Sequence, residues 1–201
     1  MGGGSLVVGR REGSIGADWF EGLYAEHGDP WNFETSDYER AKYDRTLAAL
    51  PAERFGDVLE VGCANGVLTE RLAPRCDQLL AVDVSDTALA AAAKRLAGVG
   101  NVRLERRVLP GEAPDGCFDL VLLSEVVYYW DRADVARLAG WLARAVPSGG
   151  HLLLVHWTGD TDYPQSGDDA VEGLRADLGD GIAVVRSERT DEYRLDLWRM
   201  A

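Results

Sequence analysis

Hydrophobic and polar positions change their period repeatedly along the chain. VLEV (58–61), LLAVDV (79–84), VRLER (102–106), FDLVLLS (118–124) and HLLLVHW (151–157) are short apolar runs of strand length. Segments with helical spacing lie between them: Val67–Ala73, an alanine-rich stretch capped by Asp86 and running through Leu96, and Asp131–Val146. FDLVLLS is almost continuously apolar, as a strand covered on both faces should be. Asp168–Leu178 reads as another helix. IAVVRSE (182–188) and YRLDLW (193–198) follow as strands joined by a short polar turn, which pairs them antiparallel. This alternation predicts a doubly wound α/β sheet with helices on both faces, mostly parallel, with the last strand antiparallel.

Ahead of the first strand, Asp18–Leu50 keeps helical spacing except at Asp29-Pro30, which should end one short helix. Thr35-Ser36-Asp37 offers N-cap chemistry for a second. On that second helix Tyr38, Lys42 and Arg45 share one face, and Tyr43, Leu47 and Leu50 another. The opening MGGGSLVVGRREGS has neither the apolar core nor the cleavage site of a signal peptide. The expected layout is a flexible leader over 1–16 and a single domain over 17–201. Within that domain, 17–50 forms a helical lid and 57–201 the core.

At 201 residues, with 46% hydrophobic and 27% charged, the chain suits one ordinary globular domain. A formal net charge of −13 argues against a nucleic-acid partner and suits a small or cationic ligand better. Cys63, Cys76 and Cys117 show no paired spacing, so neither a disulfide framework nor a metal site is expected. A reduced, cytoplasmic setting follows as an expectation, and no apolar run is long enough for a membrane span.

Candidate chemistry begins at DVLEVGCANGVLTERLA (57–73). In an open parallel sheet the first strand–turn–helix usually borders the ligand. The dinucleotide fingerprint G-x-G-x-x-G would need its third glycine at Val67, so the turn is instead G-x-A-x-G, with Gly62, Ala64 and Gly66 following Glu60. Taken alone, this is also how a tight strand–helix turn is written. Asp83, at the tip of the second strand and 23 residues beyond Glu60, stands where a carboxylate grips a ribose diol. Its other reading, as a helix cap, suits Ser85 and Asp86 better.

EVGCANG, AVDVSDTAL and FDLVLLSEV, in that order, resemble class I S-adenosylmethionine-dependent methyltransferases. DPWNFETSDYERAKYDRTLAALP, SEVVYYW, GGHLLLVHW and YRLDLW are similar to the nodulation protein S family of small N-methyltransferases, whose namesake acts on an amine of a deacetylated chitooligosaccharide. The resemblance implies a Rossmann-like methyltransferase sheet and S-adenosylmethionine as cofactor, with S-adenosylhomocysteine as product. It further implies that Gly62 and Gly66 turn beneath the methionine part, Glu60 lies under that turn, Asp83 binds the ribose and Val84 packs on the adenine. Where many such enzymes carry an Asp for the adenine amino group, this chain has Arg107 and Val108.

An amine must lose its proton before it attacks a methyl group, and a carboxylate or imidazole can accept it. Glu125 and His156, at neighbouring strand ends, are the candidates, with Tyr128, Tyr129 and Trp157 as aromatic walls for the acceptor. Each has a plainer alternative: a loop-holding carboxylate, a structural histidine, core aromatics. Trp31, Tyr38 and Lys42 are expected to close over the cofactor, Lys42 or Arg40 facing its carboxylate; a solvated helix face is the alternative. The expected activity is methyl transfer to a small-molecule amine, such as an amino sugar or natural-product intermediate, by a monomer or homodimer. Transfer to oxygen and a non-catalytic cofactor-binding domain stay open.

Overall fold

A computed structural model describes residues 9–201. In chain order the elements are α1 (Ala17–His27), α2 (Asp37–Ala48), β1 (Phe55–Val61), α3 (Val67–Leu72), β2 (Cys76–Asp83), α4 (Asp86–Arg95), β3 (Val102–Arg106), β4 (Leu120–Ser124), α5 (Arg132–Ala145), β5 (His151–Trp157), α6 (Gly167–Leu178), β6 (Ile182–Arg189) and β7 (Tyr193–Met200). The strands form one sheet in the order β3-β2-β1-β4-β5-β7-β6. Pairing is parallel from β3 through β5, and β7 is antiparallel to both β5 and β6. The doubly wound, mostly parallel sheet read from the sequence is therefore the fold.

β4 shows why its apolar run is continuous. Val121 and Leu123 enter one core while Leu120 and Leu122 enter the other, so both faces are covered. The first core also receives Val135, Leu138 and Leu142 of α5 and Leu174 of α6. The second receives Tyr43 of α2 and Leu68 and Leu72 of α3. Each fully buried leucine in these layers contributes roughly 1.5–3 kcal/mol of transfer free energy. Among the described residues no helix is long and apolar enough to cross a membrane.

Local chemistry sets the helix ends. Ser36 caps α2 by accepting from Glu39 N at 3.2 Å, and Asp131 caps α5 by accepting from Asp134 N at 2.8 Å. Ser85, rather than Asp86, caps α4, accepting from Ala88 N at 3.1 Å; Asp86 is the first helical residue, where its charge favours the dipole. Between α1 and α2, Gly28 takes φ 69° and the Asp29 carboxylate accepts from Phe33 N and Glu34 N at 3.0 Å each. That is the break written at Asp29-Pro30.

The leader expected over 1–16 lies partly outside the described residues. Its described end departs from a loose tail. Arg11 N donates to Asp162 O at 2.9 Å, Ile15 N to Tyr129 O at 2.8 Å, and Ser14 Oγ bonds the Asp134 carboxylate.

Candidate functional site

β1 lies between β2 and β4, and the strand order reverses there, so the carboxyl ends of these strands diverge around a crevice. A cavity of about 380 Å³ occupies it. That is within the size range of small-molecule sites. One wall is the turn after β1. Gly62, Ala64 and Gly66 have φ of 75°, 51° and 81°, and a Cβ on Gly62 would stand 2.3 Å from Val126 Cγ1. Glycine is required at 62 on both counts. Ala64 holds a left-handed conformation that few non-glycine residues adopt, a strain typical of ligand turns.

Asp83 holds that turn from the side. Its carboxylate accepts from Ala64 N at 2.9 Å and Ser85 N at 3.0 Å, and it also lines the cavity. Burial raises its carboxyl above the usual range, although the Ser85 and Ala64 amides oppose the rise. Glu60 lies beneath, 2% exposed, and burial pushes its carboxyl up to about 8. At neutral pH it is mostly a neutral hydrogen-bond donor. Val84 lines the cavity beside Asp83. Farther along, Val108 N is taken by the Glu112 carboxylate at 2.8 Å, so Val108 offers the cavity apolar surface.

The opposite wall comes from the N-terminal segment, whose Trp31, Tyr38 and Lys42 all line the cavity. Trp31 stacks on Phe33 with ring centroids 5.6 Å apart, and Tyr38 meets Trp157 edge-on at 5.9 Å. Lys42 is not a free cation awaiting a carboxylate. Its Nζ donates to Glu39 Oε1 at 2.9 Å and Glu125 Oε1 at 2.7 Å, and its side chain is 3% exposed. Burial works against its charge, but the two carboxylates outweigh that and raise its pKa. Arg40 is exposed, pairs with Asp37 and stands away from the cavity, which corrects its expected role.

Glu125, at φ 57°, turns its side chain inward just past β4. Oε2 accepts from the Tyr128 hydroxyl at 2.5 Å and from Trp157 N at 2.9 Å, while Oε1 holds Lys42. Burial favours its neutral form, yet Lys42 and the hydrogen-bond donors prevail and hold the carboxyl below its usual range. A carboxylate so fully engaged is a weak proton acceptor. Tyr128, Tyr129 and Trp157 line the cavity as expected. Tyr163, which the sequence did not suggest, joins them, stacked on Tyr128 at 5.3 Å.

His156 is the clear correction. It is 0% exposed and outside the cavity lining; Nε2 accepts from Val127 N at 3.1 Å. Burial lowers its pKa to about 4, so it is a neutral structural imidazole that fastens the turn after β4. The plainer alternative was correct because strand residues alternate: Trp157 faces the cavity and His156 does not.

Several contributors escaped the sequence reading. Glu39 lines the cavity with Oε2 buried and without a hydrogen-bond partner among the described residues. Its spacing of three from Lys42 was the available signal. Glu21 of α1 accepts from Ser85 Oγ at 2.6 Å and Thr87 Oγ1 at 2.5 Å, tying α1 to the start of α4. Glu34 pairs with Arg95 of α4, and Arg95 Nε donates to Asn65 O of the glycine turn at 3.0 Å.

The Nodulation protein S of Rhizobium tropici is 32% identical over 127 residues, 62% of this chain and 53% of that protein. The chain thus spans about half the length of the curated relatives it matches. A crystal structure described as a putative methyltransferase from Pseudomonas syringae is 39% identical, with a TM-score of 0.71 over 81% of this chain and 98% of that one. The N-methyltransferase NodS of Bradyrhizobium japonicum WM9, solved with S-adenosyl-l-homocysteine, shares the fold at a TM-score of 0.80 and 21% identity, over 92% of this chain and 99% of that one. The family model for Nodulation protein S (NodS) matches residues 23–147, from within α1 past the end of α5. With more than half its length so matched, the chain belongs to the NodS family.

Proposed function

We propose that this chain is an S-adenosylmethionine-dependent methyltransferase whose acceptor is a small molecule bearing an amine. Asp83 carries the reading. It stands at the tip of β2, pins the G-x-A-x-G turn through Ala64 N at 2.9 Å, and keeps its carboxylate on the cavity wall. The residues present fit the cofactor: Glu60 Oε2 and Asn65 Oδ1 are buried on that wall without partners among the described residues. Under this reading Gly62 and Gly66 run beneath the methionine part, with Glu60 below. Asp83 takes the ribose hydroxyls, and Val84 and Val108 flank the adenine.

The cofactor supplies a methyl group already activated on a sulfonium. The protein's share is alignment and exclusion of water. Phe20, Trp31, Tyr129 and Tyr163 bring aromatic surface from both ends of the chain to the cavity. Lys42, Tyr128 and the backbone of Trp157 lock Glu125, which makes it a fixed piece of the wall rather than a mobile base.

Calorimetry with S-adenosylhomocysteine tests the cofactor directly. Asp83→Ala should weaken binding by about 1.5–3 kcal/mol, the range for hydrogen bonds to a charged group. Equal affinity in the variant would remove Asp83 from the site. Methyl release with matched panels of amines and alcohols decides the acceptor. Turnover of alcohols alone would move the reaction to oxygen, and binding without turnover of either panel would leave a cofactor-binding domain.

A further inference from the structure

Three charged side chains meet where α2 crosses the tips of β4 and β5. Lys42 bridges Glu39 and Glu125 at 2.9 and 2.7 Å, so two carboxylates share one ammonium. All three line the cavity, with side-chain exposures of 3% for Lys42, 10% for Glu39 and 16% for Glu125. Asp29, on the preceding loop, adds a further negative field at Glu39. One carboxylate oxygen of the group is left over. Both oxygens of Glu125 are hydrogen-bonded, whereas Glu39 Oε2 is buried and has no partner among the described residues. The Tyr38 hydroxyl is also buried and without a hydrogen-bond partner among the described residues, and the Tyr38 ring lies 5.0 Å from Lys42 Nζ.

Two carboxylates against one ammonium leave a net negative group in the wall, and a buried polar atom such as Glu39 Oε2 normally has a hydrogen-bond partner. The missing partner here is a cation with N–H donors, entering from the cavity. We infer that Glu39 is the subsite that anchors the ammonium group of the methyl acceptor. Burial raises the Glu39 carboxyl above its usual range despite Lys42, which suits a group that will also take a proton from that ammonium. The N–H proton then passes to Glu39 Oε2 and the nitrogen regains its lone pair. That pair forms the N–C bond as the S–C bond breaks, and the sulfonium keeps the bonding pair as a thioether. The aromatic walls select an amine on an apolar or aromatic body.

This inference rests on the amine-methyltransferase reading, and one experiment separates the two. Two probes of nearly equal shape, phenethylammonium and 2-phenylethanol, are titrated into the full-length protein with and without S-adenosylhomocysteine, following tryptophan fluorescence. The wild type should prefer the ammonium by about tenfold or more, as a charge-assisted hydrogen bond allows. Glu39→Gln should erase that preference while leaving the alcohol and S-adenosylhomocysteine affinities within twofold. Should Glu39→Gln fold poorly in a thermal melt, Glu39→Asp takes its place; its shorter carboxylate should weaken the ammonium alone. Equal binding of both probes, no binding of the ammonium, or a preference that survives in Glu39→Gln overturns the inference. So does a variant that loses S-adenosylhomocysteine, which would assign Glu39 to the cofactor. Failure of the wild type to bind S-adenosylhomocysteine strikes the proposed function instead; an ammonium preference that depends on Glu39 would still stand.

Discussion

Glu60 and His156 pull the protein's pH dependence in opposite directions. Glu60 titrates at about 8 in the fold against an ordinary 4.5. Between those values the folded state keeps a proton that the unfolded chain has released, so stability falls as pH rises. His156 titrates at about 4 against 6.5, and there the unfolded chain holds the extra proton. Stability from His156 therefore rises with pH across that window. The two oppose each other from pH 4.5 to 6.5, and above 6.5 only Glu60 still acts. The urea midpoint should drop between pH 6.5 and 8, and Glu60→Gln should flatten that arm. An unaltered slope in the variant would assign the drop elsewhere. The residue scale is also where sequence reading succeeds and fails for visible reasons. The place of Asp83 beside the glycine turn was legible because a strand, a turn and the next strand fix its distance from the glycines. Glu39 was not, since its importance depends on Glu125, brought to it by the fold from the far side of β1.

Among the elements, those with an unmixed period were legible, and their edges less so. β1 and β2 begin at Phe55 and Cys76, earlier than their apolar runs suggest, because Asp57, Asp77 and Gln78 lie on the exposed ends of paired strands. The segment over α1 and α2 was read as a lid, and its attachments give that idea mechanical content. Glu21 ties α1 to α4, Glu34 ties the intervening loop to Arg95, and Lys42 ties α2 to Glu125. Between these ties, residues 28–36 contain no regular helix or strand. Amide exchange over Trp31–Tyr43 should slow on adding S-adenosylhomocysteine, as lid closure does elsewhere. Equal exchange in both states would make the segment a fixed wall. Glu21→Ala should quicken exchange at the start of α4, where Thr87 N loses its carboxylate acceptor at 3.2 Å.

For the whole molecule, the cavity is assembled from Ile15 at one extreme to Tyr163 at the other, so binding should report on nearly the entire domain. A ligand at one hundred times its dissociation constant adds about 2.7 kcal/mol to the unfolding free energy. The aromatic residues and the acids Glu39, Asp83 and Glu125 were all visible beforehand, but not their meeting in one crevice; that needed the order of the strands in the sheet. That order also bears on synthesis. β7 follows β6 in the chain yet stands between β6 and β5. A ribosome releasing residues 182–189 delivers an edge strand whose only neighbour has not yet emerged. Their short connection favours closing as a hairpin, a local event on the order of microseconds, before docking onto β5 as a pair. Trp198, 0% exposed within β7, would report that docking by fluorescence. Stalled nascent chains halted before residue 193 should leave the free edge of β5 open to proteases and chaperones, and release of the next eight residues should close it.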